Sequence, residues 1–485
     1  MMVRAASLVL ALGTLALLPP LPAAAGTPDP AAIRAGIDDL LTDPQAFDGL
    51  ADLLELPPAP VLTGIPETPP FPEGPAPVMA QGKLQLALSQ LAIHAGTNGH
   101  IALVRAQNGR DDAIFLQSGF TDLATLARAA ADRGIDGITA EGQTVTLTRP
   151  LVIWMGAGLH LNPGDRLRLS GTDGTFLLNF GRLDSESATV ETTGDSDFRP
   201  FLLTAGQGTL RLEGSRLNGL GFARSDAFGG IAILSRGLFR PDHPPLIRNA
   251  TFTDTGLLFI EGSVGAWIEG NTFLAPRTGG LTLSATTAAT VTGNLIHAAQ
   301  GSAALRLRDG ASGTRITGNL VLNSLRTGIM GEGNLTDTTL ASNAIAGSGG
   351  VGLLLRRADC LRLSGNLVAA NGAAGIKLVE TARTTLARNA ILHNSGSGLT
   401  LQTQPDTART DLSANLLMSN RDGLSGAGLG PVTLEGDDLS GQLPRLFSGE
   451  FAQHLPAYLS ARDTQGSTAF AISAPAGAAE PDPCP

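Results

Sequence analysis

Arg306 and Arg308 stand two residues apart in the segment AALRLRDG, with Asp309 directly behind them. Alternation at that spacing puts both guanidinium groups on one side of a strand. A planar guanidinium holds a carboxylate through two parallel hydrogen bonds, which suits a uronate sugar. Related segments carry equivalent positions. One series reads Thr282, Arg306, Met330, Leu354, Lys377 and Thr400; two residues on it reads Ser284, Arg308, Glu332, Arg356, Val379 and Gln402. The next position adds Asp309, Arg357 and Glu380. Such a surface can bind sugar carboxylates, or it can be a solvated face whose ion pairs each contribute little. The residues alone leave both readings open.

Further candidates lie upstream. Arg199 belongs to SDFRPFLL, and Arg224, Ser225 and Asp226 form a polar cluster in GFARSDAFGG. Asp242 and His243 are an adjacent acid–histidine pair between prolines, and His297 follows Asn294 at a turn. Histidine titrates nearest neutral pH, so each is a candidate for proton transfer, with a solvent-facing histidine as the plain alternative. The Asp and His spacings match no metal motif. No metal or other cofactor is expected, and a carboxylate-poor chain offers little to calcium.

These residues must be positioned by a repeating scaffold. Asn249, Asn271, Asn294, Asn319, Asn343, Asn366, Asn389 and Asn415 follow one another at intervals of 22, 23, 25, 24, 23, 23 and 26 residues. A period in this range marks a solenoid whose repeats bury their apolar faces only by stacking. Short alternating segments between glycines predict strands and leave no room for a helix within the repeat. The fold class is therefore all-β, a right-handed parallel β-helix with an N-terminal cap. The asparagines read as structural, each amide bonding backbone groups that a turn leaves open.

The organisation predicted along the chain has five parts. Residues 1–25 resemble a secretory signal, with Arg4, an apolar run and Ala23–Ala25. Residues 26–80 form a Pro-rich extended or wrapping segment, and 81–150 a mixed α/β cap in which Thr121-Asp122 can cap a helix. The β-helix runs over 151–423, and 424–485 form a C-terminal cap and tail. No other stretch predicts a membrane span, and the formal charge of −10 without basic runs argues against nucleic acid. Cys360 and Cys484 are far apart and do not suggest a disulfide framework; Cys360 reads as a small core residue.

The phrases GTFLLNFGRLDSESATVETTG, DFRPFLL and GFARSDAFGG, with the coils that follow, resemble the periplasmic mannuronan C5-epimerases of bacterial alginate biosynthesis. The resemblance implies a periplasmic protein with a lateral groove for an acidic polysaccharide, acting by C5 proton abstraction. An exopolysaccharide secretion complex is a further implied partner. It places the family's carboxylate-neutralising arginine on Arg308. Arg306, Arg199, Arg224, Glu332, Arg356, Lys377 and Glu380, read from the residues themselves, are the candidate substrate contacts. The family's Asp-Pro-His-Asp motif, which supplies the base, falls on Leu281, Thr282, Leu283 and Ser284, so that motif is missing. A family tyrosine position falls on His297, an alternative base. A uronate-polymer C5-epimerase is the function these residues and the resemblance favour, with a non-catalytic polymer-binding or export scaffold and a lyase sharing the first step as the alternatives.

Overall fold

The computed structural model describes residues 29–95, 103–105, 107, 111–222, 225–235, 240–465, 469–472 and Cys484. The predicted signal segment and Arg224 lie outside them. The described chain is a right-handed parallel β-helix with helical covers. Each coil contributes three short strands. The first lane includes Leu257–Glu261, Leu281–Ser284, Ala303–Arg308 and Ile376–Thr381; the second, Trp267–Glu269, Thr290–Thr292 and Arg315–Thr317; the third, Thr272–Leu274, Leu295–His297 and Leu320–Leu322. Each strand pairs in parallel with its equivalent one coil away.

Coils begin earlier and end later than the sequence pattern suggests. Asp112–Asp122 already pairs with Leu151–Ile153 and Ala157–Leu161, and Asp422–Ala427 pairs with Arg445–Gly449. The core is a continuous ladder of Leu, Ile and Val, such as Leu283, Leu307, Leu355 and Leu378, each fully buried. Successive residues in a strand point to opposite faces, so Arg306 and Arg308 face outward while Leu305 and Leu307 fill the interior.

One buried asparagine ladder locks the turns between the second and third lanes. Asn271, Asn294, Asn319, Asn343, Asn366 and Asn389 each donate backbone N–H and side-chain Nδ2 to Oδ1 of the next asparagine, at 2.8–3.0 Å. Asn415 ends the series on Asp437, which accepts from its N and Nδ2 at 2.8 and 2.7 Å. Asn249 stands apart from its apparent equivalents. It sits one position early, at φ 51°, where Gly270, Gly293 and Gly318 occupy the later turns. Asparagine is among the few side chains that enter this left-handed region readily.

Two covers close parts of the lateral surface. Helices α1 (Pro30–Thr42) and α2 (Phe47–Leu53) lie on the third lane, where Ile33, Ile37, Leu40 and Leu50 pack on Leu322, Ala344, Ala346, Leu367 and Leu392. The first part of the Pro-rich segment is thus helical. The stretch that follows wraps the coil without regular structure, with Ser342 Oγ donating to the Pro57 carbonyl at 3.1 Å and Arg182 Nη2 to that of Pro69 at 2.6 Å, before the strand Val78–Lys83 pairs antiparallel with Asp112–Asp122. Helix α3 (Leu84–Ala95) covers the outer side of the first lane in the early coils, burying Leu84, Ala87, Leu88 and Leu91 against Phe115, Val152, Leu178 and Leu203. Helix α4 (Leu123–Asp132) follows the first coil strand, its N-terminus capped by Asp122, which accepts from Thr125 N at 2.6 Å.

The cysteines correct the sequence reading. Cys360, at a turn between the first two lanes, is disulfide-bonded to Cys484, with Cα atoms 5.4 Å apart. A separation of 124 residues gave the sequence no sign of the pair. Among the described residues no helix is long and apolar enough to cross a membrane, and no cluster of His, Cys, Asp and Glu could hold a metal ion.

Candidate functional site

The outward residues after Phe259 run Thr282, Arg306, Met330, Leu354, Lys377 and Thr400 in one registered column, and Ser284, Arg308, Glu332, Arg356, Val379 and Gln402 in the next. Thr282 and Ser284 are still buried, and exposure begins at Arg306 and Arg308. Both columns are those read from the sequence.

Arg308 is the most constrained member. Its guanidinium lies over the Phe259 ring, 5.2 Å from the centroid, with Nη2 at 2.6 Å from Asp226 and Nε at 3.0 Å from Asp309. Ser284 Oγ donates to Asp309 at 2.7 Å, so the residue one coil before Arg308 steadies the carboxylate behind it. Arg306 pairs with Glu332 across coils, Nε to Oε1 at 3.0 Å. Among the described residues no carboxylate pairs with Arg356 or Lys377, and Glu380 is exposed at the edge beyond Val379.

The phrases DFRPFLL and GFARSDAFGG explain how Asp226 reaches Arg308. Phe198 packs on Phe222 at 4.7 Å, Phe201 on Phe176 at 4.8 Å and Phe228 on Phe201 at 5.1 Å between centroids. This aromatic block anchors a loop that carries the short helical turn Asp226–Phe228 over the first lane. Arg199, from the same phrase, lies at the other end of the strands. It pairs with Asp254, which also stands 3.3 Å from Arg277 Nε. Burial, reinforced by the neighbouring Arg199 charge, lowers the pKa of Arg277. Arginines therefore flank this face at strand entry (Arg199, Arg277) and strand exit (Arg308). Sequence reasoning did not select Arg277, Asp254 or Phe259; their roles depend on contacts between coils. Asp226 was visible only as part of a polar turn.

His297 is corrected as a partner of Arg308. It lies in the third lane, paired with Leu274 and Leu322, and its Nε2 is 3.2 Å from Asn323 Nδ2, which also donates to Leu41 of α1. The chain count that placed it near Arg308 followed the coil but not the face, and the two residues occupy different sheets. His243 and Asp242 line a separate cavity of about 230 Å³ with Ser235, Gly262 and Ser263, at the turns between the first two lanes.

Comparison with known proteins places this geometry. The family described as "Right handed beta helix region" matches residues 307–441. A mannuronan C5-epimerase of Pseudomonas aeruginosa is 29% identical over 146 residues, 28% of this chain and 26% of that protein. One of Pseudomonas putida is 24% identical over 177 residues, 33% of this chain and 34% of its own length. The matched stretches thus span about a quarter to a third of these curated relatives. The crystal structure of the periplasmic alginate epimerase AlgG is 17% identical, with a TM-score of 0.63 over 80% of this chain and 98% of that one. A mutant of the same protein gives a TM-score of 0.55 at 15% identity, over 77% of this chain and 92% of its own. The chain is a β-helix similar, at low identity, to the mannuronan C5-epimerases.

Proposed function

We propose that the chain is a periplasmic protein that holds a uronate polymer along the open outer face of its first lane, with Arg308 contacting a sugar carboxylate. The observation that carries this reading is the position of Arg308. It is braced over Phe259 where two outward columns begin to carry cations, Arg308 and Arg356 in one and Arg306 and Lys377 in the other. Stacked coils repeat at about 4.8 Å, so the cations on the coils of Arg308, Arg356 and Lys377, interrupted by Glu332, lie along one side where a linear polyanion can run. The signal-like leader supports export, and the Cys360–Cys484 disulfide suits an oxidising compartment.

Polymer holding fits the geometry better than turnover. Abstraction of a C5 proton needs a base in contact with that carbon. By the family resemblance the motif that supplies the base falls on Leu281, Thr282, Leu283 and Ser284; His297 faces α1, and both carboxylates beside Arg308 are already engaged with it. C5 epimerisation is the second reading. It is favoured by the likeness to the epimerases and by Arg308 itself, since neutralising the carboxylate lowers the cost of charge developing at C5.

Two measurements on one preparation separate these readings. Titration calorimetry with polymannuronate should show binding that Arg308→Ala weakens; no binding by the folded wild-type protein removes the proposal. Proton NMR of the polymer in D₂O should remain unchanged for a holding protein. Guluronate signals with C5 deuterium would establish the epimerase, and unsaturated ends a lyase.

A further inference from the structure

The column that contains Arg308 does not start at the open face. Followed backward coil by coil it reads Ser284, Glu261, Leu234, Ala205, Phe180 and Trp154, each flanking or paired in register with the next. Its chemistry changes along the way, from charged to apolar to aromatic. At the aromatic end lies a cavity of about 390 Å³ lined by Trp154, Phe180, His94, Gln90 and Gln207, with Ile93 and Met155 at its rim. Ile93 and Met155 are 70% and 54% exposed, so this apolar rim meets solvent.

Phe180 is buried, and the half-buried Trp154 also packs on Phe115, with centroids 6.0 Å apart. Trp154 and Phe180 meet edge to face, with centroids 5.8 Å apart at 71°, and His94 closes the far side of Phe180 at 5.9 Å. Burial lowers the pKa of His94, which keeps its ring neutral at pH 7. Aromatic walls with a few amide groups, and no lysine or arginine, suit an apolar ring face edged by hydroxyls better than an isolated carboxylate. The second cavity, at Ser235, His243, Gly262 and Ser263, lies between this pocket and Asp309 on the same edge of the coil.

We propose that the Trp154–Phe180 cavity is a pyranose-ring subsite for the same anionic polysaccharide, about five coils, or roughly 24 Å, from Arg308. The inference rests on the polyuronate reading and adds to it a stacking contact at a distance from the charged row. A polymer held at both places is bound bivalently, so the two contacts reinforce each other.

The chain contains two tryptophans. Trp267 is 6% exposed and donates to Glu269 at 2.9 Å, so Trp154 is the one positioned to report on a ligand. Polymannuronate should change the tryptophan emission of the wild-type protein. Trp154→Ala should weaken polymer binding about tenfold by calorimetry, while Trp154→Phe, which keeps a ring, stays within about twofold. Gln207→Glu, at an exposed position that leaves the packing intact, should lower polymer affinity several-fold by placing a like charge at the rim. Calorimetric binding with no emission change and no loss in Trp154→Ala and Gln207→Glu overturns the subsite and leaves the Arg308 face standing. No binding to the wild-type protein overturns both. An emission change on raising protein concentration without sugar, accompanied by a dimer in sedimentation, would instead assign the cavity to a second copy.

Discussion

Asp226 Oδ2 lies 2.6 Å from Arg308 Nη2, joining a loop of the earlier coils to the start of the charged row. The pair is partly exposed, at 37% and 22%, so the contact is a removable latch more than a buried strut. An incoming sugar carboxylate competes with Asp226 for the same guanidinium. Asp226→Asn should therefore raise polyuronate affinity several-fold, on the order of 1 kcal/mol. Calorimetry at low and moderate salt checks it; unchanged or weaker binding would show that Asp226 positions Arg308 and does not compete for it.

His297 should be dispensable for anything that happens on the first lane. His297→Ala loses one hydrogen bond to Asn323 and some packing beneath α1, a cost of about 1 kcal/mol in stability. Polymer affinity, and any turnover seen by NMR, should match the wild type. A selective loss of turnover with the melting temperature unchanged would restore His297 as a reacting group.

The asparagine ladder should be far less forgiving than its surface look-alike. Asn343→Ala removes the acceptor of the Asn319 backbone N–H and side-chain amide, both buried, for about 2–4 kcal/mol. Asn249→Gly, at a position with φ 51° outside the ladder, should stay within about 1 kcal/mol of the wild type. Denaturant melts of the two variants compare them directly; equal losses would mean that Asn249 carries a structural bond of its own.

Asp437 gives the fold a pH dependence. Burial is the first cause that raises its carboxyl from 3.8 to about 6, against hydrogen bonds from Asn415 and Glu435. Between those values the folded chain keeps a proton that the unfolded chain has released. The resulting stabilisation is full below pH 3.8 and is lost as pH rises through 6, amounting to at most about 3 kcal/mol. The melting temperature of the wild type relative to Asp437→Asn should therefore rise on going from pH 7 to pH 4.5. A flat difference would mean that the carboxylate ionises freely at the end of the ladder.

Patterns that repeat once per coil were legible in the sequence; relations between faces were not. Period and alternation identified the β-helix and both outward columns from Thr282 and Ser284, because side-chain direction follows directly from strand spacing. The same logic missed that His297 and Arg308 lie on different lanes, since distance along a coil says nothing of which side a strand occupies. Segments such as NAIAG and NLVAA are apolar on both strand faces, and this was the available sign that the third lane is covered. The helices that cover it come from a Pro-rich region whose composition suggested only extended chain. Arg308's braces, Asp226 and Phe259, come from separate coils and carry no local signature.

The docking of α1 also orders the folding of the chain in time. Synthesis delivers Ile33, Ile37 and Leu40 first, yet their resting place on Leu322, Ala344 and Leu392 is made about 300 residues later. Coils can stack as they emerge, each on the one before, but this helix must wait for a surface that does not yet exist. Its apolar side is then left uncovered during assembly, and its arrival fastens Pro30–Thr42 to coils that lie late in the chain.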